Sequence, residues 1–187
     1  MIKRAFDMTA ALGGLIVLSP VLALIALAVR LDSPGAAIHW SRRVGRFNRI
    51  FLMPKFRTMR TDAPDVAPPL QADPQAWITP LGRFLRRASL DELPQLWSVL
   101  IGDMSLVGPR PALFNQDDLV ALRTAAGVET LRPGVTGWAQ VNGRDDLPIE
   151  DKARLDADYL TLQGFGFDLK VIFTTLRAAI SGQGVRH

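Results

Sequence analysis

The sequence contains no cysteine and only two histidines, His39 and His187. Disulfide frameworks, thiolate zinc sites and cysteine nucleophiles are thereby excluded, and little remains from which to build a histidine-based triad. Any catalysis falls to carboxylates, Lys, Arg or hydroxyls. No internal repeat and no low-complexity tract appears. At 187 residues and 20.5 kDa the chain has the length of one domain, with or without a short appendage. Acidic residues are the minority: 18 Asp and Glu stand against 22 Lys and Arg, giving a net charge of +4 and a pI near 10.1. That balance favours anionic partners such as phosphates or lipid headgroups without choosing between them. A hydrophobic share of 48% and a mean hydropathy of +0.15 argue against disorder and provide material for a core.

Charge is absent altogether from Met8 to Val29, a run of 22 residues. As a straight helix it extends roughly 33 Å, close to the hydrocarbon thickness of a bilayer. It is too long for the apolar region of a signal peptide. Lys3 and Arg4 precede it, and Arg30, Arg42, Arg43, Arg46 and Arg49 follow, so the positive-inside rule places both ends in the cytoplasm. Ser19-Pro20 lies at its centre, where proline removes a helix donor and meets the carbonyl of Ile16. The Ser19 hydroxyl is placed to bond a carbonyl so freed. On the residues alone, a re-entrant segment and a kinked spanning helix are about equally supported.

Beyond the apolar run, Ile38 to Trp40 and Arg49 to Met53 read as short strands around a basic turn. Residues 61–80 hold five prolines and form an exposed, mobile loop on composition. Helical periodicity covers Leu81 to Arg87, Leu90 to Leu100, Asn115 to Ala126, Ile149 to Leu162 and Leu169 to Ile180. The last places Leu169, Ile172, Phe173, Leu176 and Ile180 on one face, for docking on the core or lying among headgroups, with docking preferred.

The strongest chemical signal is Ser89-Leu90-Asp91-Glu92-Leu93-Pro94. Ser89 and Glu92 have capping-box spacing, although Asp91 is itself an alternative cap with Pro94 in the first turn. Either way Asp91 stands at a helix start, where backbone donors favour an ionised carboxylate and attract a phosphate. An aspartate attacking phosphorus fits there, with its neighbour holding Mg²⁺; taken alone, these residues are better explained by plain N-capping acidity. The balance shifts with the cationic and glycine-rich turns at Lys55-Phe56-Arg57-Thr58, Arg86-Arg87, Gly108-Pro109-Arg110-Pro111, Arg132-Pro133-Gly134 and Asn142-Gly143-Arg144, which together suit a diphosphate. Arg42, Arg43, Arg46 and Arg49 interleave with Trp40, Phe47 and Phe51, a pattern also used on nucleic acid. Beside an apolar run, headgroup contact explains it better, and no nucleic-acid partner is expected.

Taken together, these pieces resemble the small monotopic phosphoglycosyl transferases of the bacterial sugar transferase family. The likeness runs from Lys3-Arg4 and Ser19-Pro20 through Lys55-Phe56-Arg57-Thr58-Met59, Ser89 to Gln95 and Gly102 to Pro111, to Arg132-Pro133-Gly134-Val135-Thr136-Gly137-Trp138-Ala139-Gln140-Val141-Asn142-Gly143-Arg144. Ser41, Val44 and Ser98 depart from residues common in relatives, and the likeness is to the minimal form without the extra membrane region of larger members. The resemblance implies a mainly helical α+β fold. A re-entrant helix-break-helix occupies residues 1–31, broken at Ser19-Pro20. A catalytic domain of residues 32–187, with interfacial amphipathic helices, lies on the cytoplasmic face of the bacterial inner membrane.

The same resemblance implies transfer of a sugar-1-phosphate from a UDP-sugar to undecaprenyl phosphate through an aspartyl intermediate, with release of UMP and with Mg²⁺ as cofactor. This is the first membrane step of exopolysaccharide, O-antigen, capsule or glycoprotein glycan assembly. Asp91 would be the nucleophile and, with Glu92, the metal site. Lys55, Arg57, Arg86, Arg110, Arg132, Gly134, Thr136, Gln140 and Arg144 would bind substrate, with Asp156 and Asp168 in support. Partners would be the two substrates, membrane lipids and downstream glycosyltransferases, and the anchor permits a homodimer. The alternative from another class is a non-catalytic, membrane-anchored scaffold for anionic lipid or glycan-assembly enzymes.

Overall fold

The computed structural model describes residues 2–63, 74–143 and 147–181. It is a mainly helical α+β arrangement. A long helix α1 (Ile2–Asp32) is followed by an antiparallel hairpin of β1 (Ile38–Val44) and β2 (Ile50–Phe56). Then come α2 (Pro80–Arg87), α3 (Gln95–Ile101), the short strand β3 (Ser105–Val107) and α4 (Asp117–Ala125). The chain continues through β4 (Gly134–Thr136), α5 (Trp138–Val141), α6 (Ile149–Leu162) and α7 (Phe165–Ser181). Of the proline-rich stretch 61–80, residues 64–73 lie outside the described residues, and Pro74–Trp77 forms a 3-10 turn.

The break expected at Ser19-Pro20 is absent: helix α1 runs without interruption through both residues. Ser19 Oγ donates to Ile16 O at 2.8 Å. This is the acceptor that Pro20, lacking an N–H, leaves without its backbone partner, so the local repair expected of Ser19 is present. By length and composition α1 is able to cross a membrane, yet both of its ends dock on the same body. Near the start, Arg4 donates to the carbonyls of Val99 and Leu100, and Asp7 accepts from Ser105 Oγ and Leu106 N. Ala11 packs with Met53, Val99 and Met104. Near the end, Ile25 and Val29 join Phe56 and Leu85 in a second core cluster. The opposite face, including Leu12, Ile16, Val17, Leu24, Leu27 and Leu31, is exposed.

The expected helices α2, α4, α6 and α7 are present, with α6 at the anticipated bounds. Leu90 to Leu100 is not one helix. Leu90–Glu92 forms a 3-10 turn, and α3 begins only after Pro94. Helix α7 docks, but through a different face from the one its apolar spacing suggested. Asp168 and Val171 are buried, while Leu169, Phe173 and Leu176 are exposed. Its docking face packs Val171 against Val107 and Tyr159, with Phe167 and Ile172 alongside.

The β3–β4 parallel pair is three residues long on each side and escaped the sequence reading. Its backbones approach so closely that glycine is required. A Cβ on Gly134 would lie 2.1 Å from Gly108 N, and one on Gly137 2.1 Å from Gly108 O. Gly108 N donates to Thr136 O, and Gly134 N to Pro109 O, so the ladder extends into the Gly108-Pro109-Arg110-Pro111 turn and fixes where Arg110 emerges.

Candidate active site

The site is assembled around the 3-10 turn Leu90–Glu92, which α2 and β2 hold in place. Thr79 caps α2, its Oγ1 accepting from Gly82 N at 2.9 Å, with Pro80 in the first turn. Gly82 lies against the backbone of Thr58, where a Cβ would meet Thr58 O at 2.1 Å. Thr79 N donates to the same oxygen. The start of α2 is therefore fastened to the chain just beyond β2. Arg86, one turn further on, donates from Nε to Thr58 Oγ1 and stands close enough to Asp91 for their charges to interact.

Ser89 takes a left-handed conformation (φ 54°) and makes no side-chain cap bond, so the capping box suggested by its spacing from Glu92 does not form. Glu92 is used elsewhere. Its Oε1 accepts from Lys55 Nζ at 2.7 Å and from Arg110 Nη2 at 3.0 Å. Lys55 arrives on β2, and Arg110 on the turn after β3. The carbonyls on either side of the Arg110–Pro111 peptide are clamped in turn. Arg123 Nη1 donates to Arg110 O at 2.9 Å, and Arg43 Nη1 to Pro111 O at 3.2 Å. Arg123 is itself held by Asp156, whose Oδ2 accepts from both Nε and Nη2.

The electrostatics among the described residues are those of a cationic site around two carboxylates. Burial alone would raise the Glu92 carboxyl, but Arg110 and Lys55 outweigh it and hold Glu92 far below the usual glutamate range. One carboxylate, Glu92, serves both cations. Burial, helped by Arg110 and Arg43 and opposed by Glu92, keeps Lys55 below the usual lysine range. Burial likewise lowers Arg86 against the pull of Asp91. Asp91, 8% exposed, is pushed up by burial and by Glu92, with Lys55 and Arg86 opposing. Among the described residues Lys55, Arg43, Arg86 and Arg110 thus lie around Asp91 and Glu92, a cationic setting suited to a diphosphate. The cations rather than a helix dipole govern the pair, because Asp91 precedes α3 instead of opening it.

Of the residues singled out from sequence, Lys55, Arg86 and Arg110 gather at Asp91 and Glu92. Arg57 lies elsewhere: its Nη2 donates to Ser33 O at 2.6 Å and to Val29 O at 3.3 Å, at the C-terminal end of α1. A cation there matches the exposed carbonyls and negative end of a helix. Arg132 donates to Gly102 O. Thr136 is paired with Thr175 of α7 at 2.7 Å, and Gln140 donates to Val135 O. Together with Gly134 they build the β3–β4 support and do not line the dyad. Arg144 lies outside the described residues. Asp156 acts through Arg123. Asp168 accepts from Lys3 Nζ and Tyr159 OH, both at 2.6 Å, and those two donors also reach Val107 O. Both acids therefore brace the strand and turn that deliver Arg110. Arg43 and Arg123, the clamps of that turn, were not among the site residues expected from sequence, although Arg43 with Gly45 belongs to the family pattern.

Among the described residues no group of three metal-binding side chains exists. Asp91 and Glu92 still suit Mg²⁺, which is commonly held by one or two carboxylates together with substrate phosphates and water. Both recorded bonds to Glu92 fall on Oε1, leaving Oε2 for such a role.

Comparison with known proteins agrees with this geometry. A family model described as bacterial sugar transferase matches residues 1–182. The chain belongs to that family. Among relatives, it is 42% identical to an undecaprenyl-phosphate glucose phosphotransferase of Komagataeibacter xylinus, over 95% of this chain and 36% of the relative. It is 40% identical to the UDP-glucose:undecaprenyl-phosphate glucose-1-phosphate transferase of Escherichia coli K12, over 94% of this chain and 39% of the relative. It is 39% identical to the sugar transferase EpsL of Bacillus subtilis, over all of this chain and 91% of the relative. The chain thus spans little more than a third of the first two relatives and nearly all of the third.

Proposed function

We propose that this sugar transferase family member moves a sugar-1-phosphate from a UDP-sugar to undecaprenyl phosphate by a two-step covalent route. The observation that carries the reading is the convergence of Lys55, Arg86 and Arg110 on the Asp91-Glu92 turn. In the first step an ionised Asp91 oxygen attacks the β-phosphorus. A bond from Asp91 to phosphorus forms, and the bond to the bridging oxygen breaks, so that UMP leaves with the electron pair. In the second step an oxygen of the lipid phosphate attacks the same phosphorus, the bond to Asp91 breaks, and the carboxylate is regenerated. Lys55, Arg86 and Arg110 hold phosphate oxygens and offset the charge that builds on them. Mg²⁺, held by Glu92 Oε2 and Asp91, would supply Lewis-acid neutralisation of the diphosphate.

The docking of α1 supports a re-entrant rather than a spanning arrangement. Lys3, Arg4 and Asp7 at one end and Val29 with Arg57 at the other engage the same body, so both ends belong on the side of the membrane that holds Asp91. The exposed stripe Phe165, Leu169, Phe173 and Leu176 on α7 continues from Phe6, whose ring meets that of Phe165 at 5.3 Å. It suits contact with the acyl boundary. With both ends of α1 on one side, the basic residues that flank its apolar run support a site on the cytoplasmic face of a bacterial inner membrane, where the product would start glycan assembly.

The reading is tested by incubating purified protein with Mg²⁺ and UDP-glucose in the absence of any lipid acceptor. About one equivalent of UMP per active site is expected in a burst. Absence of UMP until undecaprenyl phosphate is added would favour direct transfer. Topology has its own test, since the chain has no native cysteine to confuse labelling. Single cysteines introduced beside Lys3 and Asp32 should react with an impermeant maleimide from the same side of inverted membrane vesicles. Reaction from opposite sides would mean that α1 spans.

A further inference from the structure

The two faces of the β1–β2 hairpin have different surroundings. Successive strand residues point to opposite sides, and the register sets Ser41 opposite Met53 and Arg43 opposite Phe51 on the side of Lys55 and the catalytic pair. The other side carries Ile38, Trp40 and Arg42 on β1 and Ile50, Leu52 and Phe56 on β2. The fold therefore divides the basic, aromatic run that the sequence presents as one. Arg43 and Phe51 turn inward, and Trp40, Arg42, Arg46, Phe47 and Arg49 stay exposed.

At its open end the outer side is covered, since Ile38 and Phe56 join Ile25 and Val29 of α1 in one apolar cluster. Towards the turn it is bare, with Trp40, Ile50 and Leu52 each about half exposed. A bridge between Arg43 and Leu113 brings Phe114 beside β1, where the Arg42 guanidinium lies over the Phe114 ring at 4.3 Å. At the turn Phe47 is exposed, with Arg46 over its ring at 4.6 Å.

Clustered exposed apolar side chains of this kind mark a contact surface, and two observations select what it contacts. Arg42, Arg46 and Arg49 stand among the apolar groups, so a second copy of the same face would meet like charge, and an anionic surface opposite charge. The bare part also continues from the part that packs on the second half of α1, whose own outer residues Leu24, Leu27 and Leu31 belong to the apolar segment. Tryptophan and arginine at the margin of an apolar segment suit the boundary between membrane and water.

We infer that the outer face of the β1–β2 hairpin is a lipid-binding surface, which lays Trp40, Ile50 and Leu52 against the acyl boundary and holds anionic headgroups with Arg42, Arg46 and Arg49. Because Lys55 projects from the reverse of the same hairpin, this contact fixes how the catalytic pair is held relative to the headgroups. No chemistry is assigned to the three arginines, and the contact stands whether or not the protein transfers a sugar phosphate.

The test places the full chain in nanodiscs of phosphatidylcholine, with or without phosphatidylglycerol. A nitroxide is attached at L52C or, as a control, at E150C in the exposed first turn of α6. In anionic discs the Leu52 label should be reached by lipid-soluble oxygen and hidden from an aqueous nickel chelate, and the Glu150 label should behave in the opposite way. Adding R42Q and R49Q should lower the docked-to-free ratio of the Leu52 label by about 10-fold or more, since each arginine at an anionic surface contributes roughly fivefold. High salt should act in the same direction, and the thermal midpoint should not change.

A Leu52 label as open to the nickel chelate in anionic discs as the Glu150 label, in protein of unchanged thermal midpoint, would overturn the inference and leave this face to a protein partner. Equal burial of the label in both kinds of disc, unaffected by R42Q and R49Q, would overturn the recognition of anionic lipid. UMP release is scored separately on the same discs. Its absence alongside a lipid-buried label would uphold the lipid contact and count against the transferase reading alone.

Discussion

Asp91→Asn should abolish UMP release, by a factor on the order of 10³ or more, without destabilising the fold. The two halves of this expectation come from one cause. Burial, reinforced by Glu92, holds the Asp91 carboxyl above the usual aspartate range, with Lys55 and Arg86 opposing. The folded protein therefore binds that proton more tightly than the unfolded chain does. At pH values below the unfolded pKa there is no penalty. As pH rises from the unfolded to the folded pKa the penalty for ionising builds up, and above the folded pKa it is fully present. Asparagine removes the charge and the cost with it. The thermal midpoint of D91N at neutral pH should equal or exceed that of wild type, and the difference should shrink as the pH is lowered. For activity the sign is reversed, since only the ionised acid attacks phosphorus. UMP release by the wild type should fall along an acid limb whose midpoint lies above the ordinary aspartate value of about 3.9. A variant that lost activity only because it unfolded would show the opposite change in midpoint.

The second large effect belongs to Glu92→Gln. Glu92 is largely buried, and its Oε1 is shared by Lys55 and Arg110. Neutralising it removes the carboxylate that Lys55 and Arg110 share, and breaking such a buried pair typically costs about 3 kcal/mol. Chemical denaturation at neutral pH should show a loss of that order. The pH dependence again differs from that of Asp91. Because the folded Glu92 carboxyl is depressed, its stabilisation is present above the unfolded value of about 4.3 and is lost as the pH falls through the folded one. The stability gap between wild type and E92Q should therefore close in acid. Donor turnover should also fall in E92Q, because Lys55 and Arg110 lose the anchor that fixes their geometry. Restoration of stability with inorganic phosphate or UMP, by anion binding to the freed cations, would show that those side chains are built to receive phosphate oxygens.

Much of this site was legible in the chain before any fold was known, and the illegible part has a definite physical character. Local chemistry could be read. The carboxylate pair, the turns bearing Arg86 and Arg110, and the repair of the Pro20 gap by Ser19 all depend on residues within a few positions of one another. Long-range partners could not. Lys55 and Arg57 sit two residues apart at the end of one strand, where pattern alone makes them equivalent. Yet Lys55 finds Glu92, and Arg57 finds the last carbonyls of α1. Glu92 had the spacing of a capping residue, but two cations from distant segments offered a stronger partner than a backbone N–H.

Strands β3 and β4 are too short for an alternating pattern to register, and their role lies in the glycines that let backbones touch. The apolar stripe on α7 marked an amphipathic helix correctly but not which face would be covered. The buried face carries Asp168, which pattern reading counts as polar and which is satisfied by Lys3 and Tyr159. Asp156 and Asp168 show the same limit. Each earns its place by holding something else, Arg123 in one case and the Lys3–Tyr159 pair in the other, and such indirect service leaves no local trace.

The most direct measurement is intact-protein and peptide mass spectrometry after mixing with Mg²⁺ and UDP-glucose, quenched without lipid acceptor. A covalent route predicts an added hexose phosphate on the peptide carrying Asp91, lost on adding undecaprenyl phosphate and absent from D91N. An unmodified Asp91 peptide at saturating donor, in protein that still forms lipid-linked sugar once the acceptor is supplied, would contradict it.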